Sequence, residues 1–259
     1  MPFDFQDKVV IVTGGGRGIG REACLQFSRH GAKVVCVDLG EGSGNETVEQ
    51  IKAENGEAIF IEADVTKEDD VVHYVNRTME AYGRIDVLVN NAGWEGHVKE
   101  IPDYSTEIFN KVMEINVTGV FLGMKHVLEI MKKQKSGAIV NMGSTASWIG
   151  APGFVAYTAS KHAVLGMTKT AALEVARLGI RVNAVCPGAV NTDMMQSIAE
   201  KSLSAKNVDE FKKNHSESIP DGRYGETHEV ARQILYLASD LASHITGQSL
   251  IIDGGALVK

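Results

Sequence analysis

The sequence has few cysteines, no secretory signal and no long apolar run. Its 259 residues include only three cysteines, Cys24, Cys36 and Cys186, each set in an apolar segment. A small, odd number of cysteines argues against a disulfide framework and predicts reduced, buried thiols. The N-terminal stretch MPFDFQDKVV has neither the basic nor the apolar region of a signal peptide. No apolar run approaches the ~18 residues of a membrane span, so we expect a cytoplasmic protein with no membrane partner.

The charge balance argues against a further class of partner. The formal net charge is −7, from 26 basic and 33 acidic residues, and the basic residues form no continuous block. This argues against binding to nucleic acid or to an anionic membrane surface. The eight histidines show no metal-ligand spacing and the cysteines are isolated, so we predict no metal site.

Short β-branched runs alternate with longer amphipathic ones along the whole chain. The predicted strands are 8–13, 33–38, 57–64, 85–92, 137–144, 180–187 and 249–255. The predicted helices are 18–30, 44–55, 67–82, 105–134, 154–178 and 226–241. Most of the strands are continuously apolar, which is typical of parallel strands covered on both faces. The alternation predicts one α/β domain over residues 1–259, built on a doubly wound parallel sheet.

One long interval, from about residue 188 to 225, contains no predicted strand. It is polar and contains methionine. Because structureless loops of that length are uncommon, the interval predicts a functional excursion after the sixth strand. We expect residues 190–222 to close over the substrate as a lid.

A glycine-rich loop follows the first predicted strand. The segment TGGGRGIGREA, residues 13–23, places Gly14, Gly18 and Gly20 between that strand and the next helix. Glycines there allow a tight turn and a close approach of the backbone to a pyrophosphate, which the free N–H groups of the helix N-terminus then bind. Asp38 ends the second strand, where a carboxylate accepts hydrogen bonds from an adenosine ribose. The combination predicts a dinucleotide site.

Asp38 and Arg17 favour different dinucleotides. The Asp38 carboxylate accepts from two ribose hydroxyls but repels a 2′-phosphate, whereas Arg17 in the glycine loop attracts one. Because Asp38 faces the ribose directly, we predict NAD as the cofactor, and the use of NADP stays open.

Tyr157 and Lys161 lie four residues apart in a helical segment, which puts both side chains on one face. A nearby ammonium and a positive nicotinamide both favour phenolate, so we expect a lowered pKa that makes Tyr157 a general acid/base. Ser144, at the end of the fifth strand, would hold the substrate oxygen near the phenol. A Gly-x-Ser-x-Gly motif is absent, which argues against a hydrolase serine. His162 would point away from this face.

Six motifs in chain order resemble those of the short-chain dehydrogenase/reductase family in its single-domain form. They are TGxxxGxG at Gly14, Gly18 and Gly20, NNAG at 90–93, Asn116, Ser144, YxxxK at Tyr157 and Lys161, and PG…T at Pro187, Gly188 and Thr192. The resemblance covers nearly the whole chain. It implies a Rossmann-type seven-stranded sheet, nicotinamide-dependent oxidoreduction of an alcohol/ketone pair, and a homotetramer or homodimer.

The resemblance also implies the roles of individual residues. Asn116 would anchor a water below Lys161, and Asp64 would contact the adenine ring. The implied catalytic residues are Ser144, Tyr157, Lys161 and Asn116. The implied cofactor-binding residues are Gly14, Arg17, Gly18, Ile19, Gly20, Asp38, Asp64, Val65, Asn91, Ala92, Gly93, Tyr157, Lys161, Pro187, Gly188, Val190 and Thr192.

Three loops at the carboxyl ends of strands four, five and six carry large apolar side chains. The predicted substrate-pocket residues are Trp94, Thr145, Trp148, Phe154, Met194 and Met195. Such walls suit a compact or ring-shaped hydrophobic small molecule better than a sugar or a charged acid. The segments NNAGWEG and RYGE also resemble family members that act on cyclic ketones, cyclohexanols and hydroxysteroids. We therefore predict a cyclic or steroid-like secondary alcohol as substrate.

Two other functions stay open at this point. A 3-oxoacyl-[acyl-carrier-protein] reductase would prefer NADP and a basic docking patch, and basic residues cluster locally at Lys201, Lys206, Lys212 and Lys213. A non-catalytic dinucleotide sensor could use the same fold, because function resides in the site and not in the fold. The complete Ser–Tyr–Lys set favours an enzyme over a sensor.

Overall fold

A computed structural model describes residues 3–202 and 208–258 of the chain. Within these residues, seven parallel strands form one sheet in the order β3-β2-β1-β4-β5-β6-β7. The strands are β1 (Val9–Thr13), β2 (Lys33–Asp38), β3 (Glu57–Glu62), β4 (Val87–Asn90), β5 (Gly137–Met142), β6 (Ile180–Pro187) and β7 (Ser249–Ile252). The predicted doubly wound, seven-stranded Rossmann-type sheet is confirmed.

The helices of the described residues cover both faces of this sheet. They are α1 (Gly18–Arg29), α2 (Glu41–Ala53), α3 (Glu68–Tyr82), α4 (Thr106–Met113), α5 (Gly119–Gln134), α6 (Val155–Val175), α7 (Asp193–Ser202), α8 (Val208–Glu217) and α9 (Thr227–Ala238). Along β1, Val10 and Val12 pack with α1, α2 and α9, whereas Val9 and Ile11 pack with α3, α5 and α6. Successive strand residues point to opposite faces, which is why continuously apolar strands need helices on both sides.

Two predicted segments differ from the observed ones by more than the position of their ends. The segment 105–134 was expected to be one helix, but a π-helical turn at Glu114–Thr118 separates α4 from α5. Apolar periodicity does not register one extra residue in a turn, and such turns occur frequently at functional sites. The interval from 188 to 225 contains α7 and α8. Residues 203–207 of the predicted lid, which include Lys206, lie outside the described residues.

The strand order places one crevice at a definite point of the sheet. From β1 the chain proceeds outward to β2 and β3, and then returns to the other side of β1 with β4. The loops that follow β1 and β4 therefore leave the sheet edge in opposite directions. In open α/β sheets this switch point is where ligands bind.

Candidate active site

The glycine loop connects β1 to α1 in the conformation that its composition predicts. Gly14 and Gly18 have φ of +65° and +52°, a region that side chains disfavour. A Cβ added at Gly20 would overlap the carbonyl oxygen of Gly14, so only glycine allows the helix to start this close. Asn91, after β4, donates through Nδ2 to the carbonyl oxygens of Thr13 and Gly14, each at 3.0 Å. The loops after β1 and β4 are thus joined at the switch point.

A cavity of about 380 Å³ opens at this junction, and we term it the switch-point cavity. Its wall includes most of the residues that the family resemblance assigns to a cofactor. These are Gly14, Arg17, Gly18, Ile19, Asp38, Asp64, Val65, Asn91, Ala92, Gly93 and Thr192. Gly20 lies behind the loop, where it permits the close approach of α1.

Two carboxylates of this wall are fixed by hydrogen bonds. Asp38 accepts the backbone N–H of Gly16 at Oδ2 over 2.8 Å and that of Gly40 at Oδ1 over 3.0 Å. Asp64 accepts the N–H and the hydroxyl of Thr66 at Oδ1, at 3.0 and 2.7 Å, and so also caps the following turn. Neither carboxylate needs to reorganise to meet a ligand in the cavity.

The three residues expected to carry the chemistry lie together beyond the end of β5. Tyr157 and Lys161 share one face of α6, and the Lys161 Nζ lies 5.4 Å from the centre of the Tyr157 ring. Lys161 Nζ also donates to the carbonyl oxygen of Met142 over 2.7 Å. Ser144 caps the short 3₁₀ turn after β5, and the Ser147 hydroxyl of that turn donates to the Lys161 carbonyl oxygen over 2.9 Å. The end of β5 and the helix α6 are therefore fixed to each other.

Burial controls the proton equilibria of this pair. It raises the pKa of Tyr157 to about 12, although the hydrogen bond from Ser144 acts in the opposite direction. Burial also lowers the pKa of Lys161 to about 8. The sequence predicted a lowered phenol pKa, but in this structure desolvation outweighs the hydrogen bond from Ser144. The structure therefore favours a neutral phenol that can donate a proton.

Asn116 lies in the π-helical turn and connects three segments. Its Oδ1 accepts the backbone N–H of Trp94 over 2.8 Å, and its Nδ2 donates to the Trp94 carbonyl oxygen over 2.9 Å. Nδ2 also donates to the Ser160 hydroxyl over 3.0 Å, next to Lys161 on α6. Both ends of the carboxamide are thus engaged with protein atoms, and a role of this residue in anchoring water stays a prediction.

A second cavity, of about 670 Å³, lies above Ser144 and Tyr157 and is termed the apolar cavity. Of the residues predicted for the substrate, it is lined by Thr145, Phe154, Met194 and Met195. Of those predicted for the cofactor, Pro187, Gly188 and Val190 belong to this wall. The two cavities meet, because Ile19, Asn91, Gly93, Thr192 and Met194 line both.

Both tryptophans lie elsewhere than predicted. Trp148 is 47% exposed and does not line the apolar cavity. The 3₁₀ turn carries it outward, where Lys169 Nζ lies 6.0 Å from its ring. Trp94 lines the switch-point cavity, between Lys111 and Lys201 at 5.5 and 5.9 Å from its ring centre. His162 is exposed, as its place on the helix predicts.

Several residues that line the apolar cavity were not predicted from the sequence. Val98, Ile149, Phe211, His215 and Leu257 line the apolar cavity, and they come from four separate parts of the chain. The Nδ1 of His215 lies 2.9 Å from the hydroxyl of Tyr224. An apolar face on α8 was the one available signal for Phe211; no local pattern marks the others.

Comparison with known proteins agrees with this geometry. Residues 14–256 match the family model described as enoyl-(acyl carrier protein) reductase. The chain is 40% identical to (+)-borneol dehydrogenase 2 of Salvia officinalis, over 98% of this chain and 91% of that protein. The chain belongs to the short-chain dehydrogenase/reductase family.

Other similar members of the short-chain dehydrogenase/reductase family are named for different activities. A 3-oxoacyl-[acyl-carrier-protein] reductase of Synechocystis is 41% identical, over 97% of each chain. The crystal structure of levodione reductase superposes with a TM-score of 0.95 at 37% identity, covering 98% of this chain and 100% of that one. NAD⁺-bound xylitol dehydrogenase gives 0.92 at 33% identity, with 97% and 99% covered. The protein is thus an oxidoreductase of this family, with alcohol dehydrogenases and ketoreductases among its relatives.

Within residues 3–202 and 208–258, no helix combines the length and the apolar character needed to cross a bilayer. In the same residues, no three His, Cys, Asp or Glu side chains come together in a way that could hold a metal ion.

Proposed function

We propose that this protein transfers a hydride between NAD(H) and a secondary alcohol or ketone, with Tyr157 as general acid/base. The observation that carries the proposal is the junction of the two cavities. A cavity with a glycine loop and a fixed Asp38 opens directly into one that contains Ser144 and Tyr157. A nucleotide in the first and an alcohol in the second would meet at Gly93 and Thr192.

Residues of the chain itself would carry out the proton transfer. The Ser144 hydroxyl would hold the substrate oxygen against the Tyr157 hydroxyl, which donates the proton in ketone reduction and accepts it in alcohol oxidation. Bound NAD(H) accepts or supplies the hydride, and its oxidised ring carries the positive charge that favours phenolate. Lys161 would hold the nicotinamide ribose and, when protonated, also favour the phenolate.

The cavity wall supports NAD over NADP. Both Asp38 oxygens are held by backbone N–H groups, so the carboxylate cannot swing away from a 2′-phosphate. Arg17 is exposed at the mouth of the switch-point cavity and could pair with such a phosphate from outside. A fixed like charge on the wall costs more than an exposed pair returns. The NAD⁺ in the related xylitol dehydrogenase is consistent with this choice.

The apolar cavity supports a cyclic or steroid-like substrate. Its volume accommodates a ring system, and Phe154, Met195, Ile198 and Phe211 provide mostly apolar surface. Relatives named for borneol, levodione and cyclopentanol favour the same class. We propose that α7 and α8 close over this substrate, since both helices contribute to the wall.

The 3-oxoacyl-[acyl-carrier-protein] reductase is the second candidate. The description of the matching family model and the Synechocystis relative favour it. Asp38 opposes the NADP that it would use. Lys201, one of the basic residues that suggested a docking patch, is instead paired with the buried Glu95. Among the described residues, Lys213 pairs with Glu217 at 3.9 Å, which further reduces the basic surface available for docking.

The test is a screen of cyclic alcohols, hydroxysteroids and 3-oxoacyl thioesters with NAD(H) and NADP(H), followed at 340 nm. We expect Tyr157→Phe to lower turnover at least ~100-fold while NADH still binds, because only the transferable proton is lost. Tyr236→Phe, on α9, is the matched control and should keep full turnover. Turnover of thioesters alone would favour the second candidate, and binding of NADH without any turnover would favour a sensor.

We also infer a cytoplasmic homotetramer or homodimer. Its support is the apolar surface left exposed on α5 and α6, where Phe121 is 50% and Leu173 85% exposed. The free, buried thiols of Cys24, Cys36 and Cys186 fit a reducing compartment. Light scattering after size exclusion would give the mass, and a monomer at micromolar concentration would contradict the inference.

A further inference from the structure

A buried carboxylate outside the catalytic set joins helix α7 to the body of the protein. Glu95 lies in the loop after β4 and is only 4% exposed. Its Oε1 accepts the Lys201 Nζ over 2.5 Å and the Ser197 hydroxyl over 2.8 Å, and both partners lie on α7. A carboxylate removed from water is tolerated when such partners compensate it, and is costly when it loses them.

The lysine of this pair reaches the same loop at further points. Lys201 Nζ donates to the carbonyl oxygen of Gly96 over 3.1 Å and lies 5.9 Å from the ring centre of Trp94. Trp94 in turn lines the switch-point cavity. The last turn of α7 is therefore held against residues 94–96 by one ammonium with three neighbours.

The loop that receives α7 is itself fixed. Asn116 bonds both backbone groups of Trp94 and also the Ser160 hydroxyl on α6, as described above. The first turn of α7 lines the ligand cavities, since Met194 lines both and Met195 lines the apolar one. The position of α7 against Glu95 therefore sets the wall of both cavities.

We propose that Glu95 is a positioning residue that holds α7 over the bound dinucleotide, so that the Glu95–Lys201 pair governs how fast the dinucleotide leaves. The inference rests on the proposed function, since it takes NAD(H) as the occupant. Moving α7 away would strip Lys201 and Ser197 from a buried carboxylate, and this cost keeps the helix closed. Breaking the pair should therefore speed dissociation more than it slows hydride transfer.

The experiment measures NADH dissociation by stopped-flow fluorescence, with excess NAD⁺ as the displacing ligand. We expect Glu95→Gln and Lys201→Met each to raise the dissociation rate constant about tenfold, which is below the roughly 30-fold or more of a fully buried charge pair because the Lys201 side chain is 32% exposed. The double variant should lie well below the product of the two effects, because both changes break one contact. Lys111→Met is the matched control, since Lys111 lies 5.5 Å from the same Trp94 ring, and it should stay within about twofold of the unmodified chain.

Two further measurements separate positioning from general damage. Lys201→Arg keeps the positive charge, so NADH should dissociate from this variant as slowly as from the unmodified chain. In every variant, the rate of single-turnover hydride transfer should change less than the rate of NADH dissociation. The chain has two tryptophans, so Trp148→Phe leaves Trp94 as the sole reporter. In that background and without NADH, Glu95→Gln should make Trp94 more accessible to acrylamide.

The outcomes are distinguishable. If NADH dissociates from the unmodified chain and from all the variants at one rate, Glu95 does not hold α7. The same follows if the effects of the two single substitutions multiply in the double variant. In either case this inference fails and the proposed function still stands. If the unmodified chain binds no NADH, the proposed function fails and the inference with it. Glu95→Gln keeps the shape of the side chain, so it serves as the folded variant even where Lys201→Met does not fold.

Discussion

Raising the pH from 7 to 9 should increase the contribution of Lys161 to the free energy of unfolding by about 1.3 kcal/mol. Lys161 is 5% exposed, and burial lowers its pKa to about 8. An unfolded lysine has a pKa of about 10.4. Between these values the unfolded chain binds more protons than the folded chain, so the free energy of unfolding rises with pH. Below pH 8 both states are protonated and the contribution disappears.

The size of the Lys161 contribution to the free energy of unfolding follows from its pKa values in the folded and unfolded chain. The full difference of about 2.4 pKa units corresponds to roughly 3 kcal/mol above pH 10.5, of which about 1.3 kcal/mol is present at pH 9. Tyr157 acts later and with the opposite sign. Its pKa of about 12 means that the folded chain keeps a proton that the unfolded chain loses above pH 10. Within the window from pH 7 to 9 the buried thiols of Cys24 and Cys186 act against Lys161, because burial raises their pKa, so a comparison between variants is needed to isolate the contribution of Lys161.

The assay is urea unfolding, followed by circular dichroism, of the unmodified chain, Lys161→Met and Lys169→Met at both pH values. Titrations shared by the three proteins cancel when each variant is compared with the unmodified chain. Lys169 is exposed on the same helix, so Lys169→Met should change with pH in parallel with the unmodified chain. Lys161→Met should lack the gain of about 1.3 kcal/mol. Parallel behaviour of Lys161→Met would show that Lys161 stays charged, and would refute the reasoning.

Two predictions concern recognition. Asp38→Ser should narrow the preference for NAD over NADP in kcat/KM by at least about tenfold, because it removes a fixed like charge from the site of the 2′-phosphate; an unchanged ratio would place the selectivity elsewhere. Phe154→Ala should raise KM for a cyclic alcohol more than Trp148→Ala does, since only Phe154 lines the apolar cavity. Equal effects of the two substitutions would contradict this placement.

The sheet and the glycine loop were predictable because their signals are local. Each strand is a short apolar run between turn residues, and Gly14, Gly18 and Gly20 occupy positions where a side chain would be strained or would overlap the backbone. Strand ends were less certain: β4 spans Val87–Asn90 and not 85–92. At one end, Asp86 turns its carboxylate to Arg84 and to the N–H of Val9.

The features that were missed depend on contacts between distant residues. Glu95 and Lys201 are 106 positions apart, and neither carries a local signal of burial. Trp148 was expected in the substrate pocket because its loop was, but the 3₁₀ turn at Thr145–Ser147 directs it outward. The pKa of Tyr157 was expected to fall, since sequence spacing places Lys161 nearby but gives no measure of desolvation.

The pairing of β1 with β4 has a consequence for how the chain assembles. β2 pairs with β1 and β3, which are its neighbours in the sequence. β1 also pairs with β4, so that Val10 lies beside Val87 across the whole first half of the fold. Loop-closure entropy delays such long-range pairing, so we expect the sheet of β1, β2 and β3 to form before it docks against β4 along this seam. The switch-point cavity would come into existence only at docking. A dinucleotide that fills it would then stabilise the complete sheet at a late step of folding, because it binds the docked sheet and neither half alone.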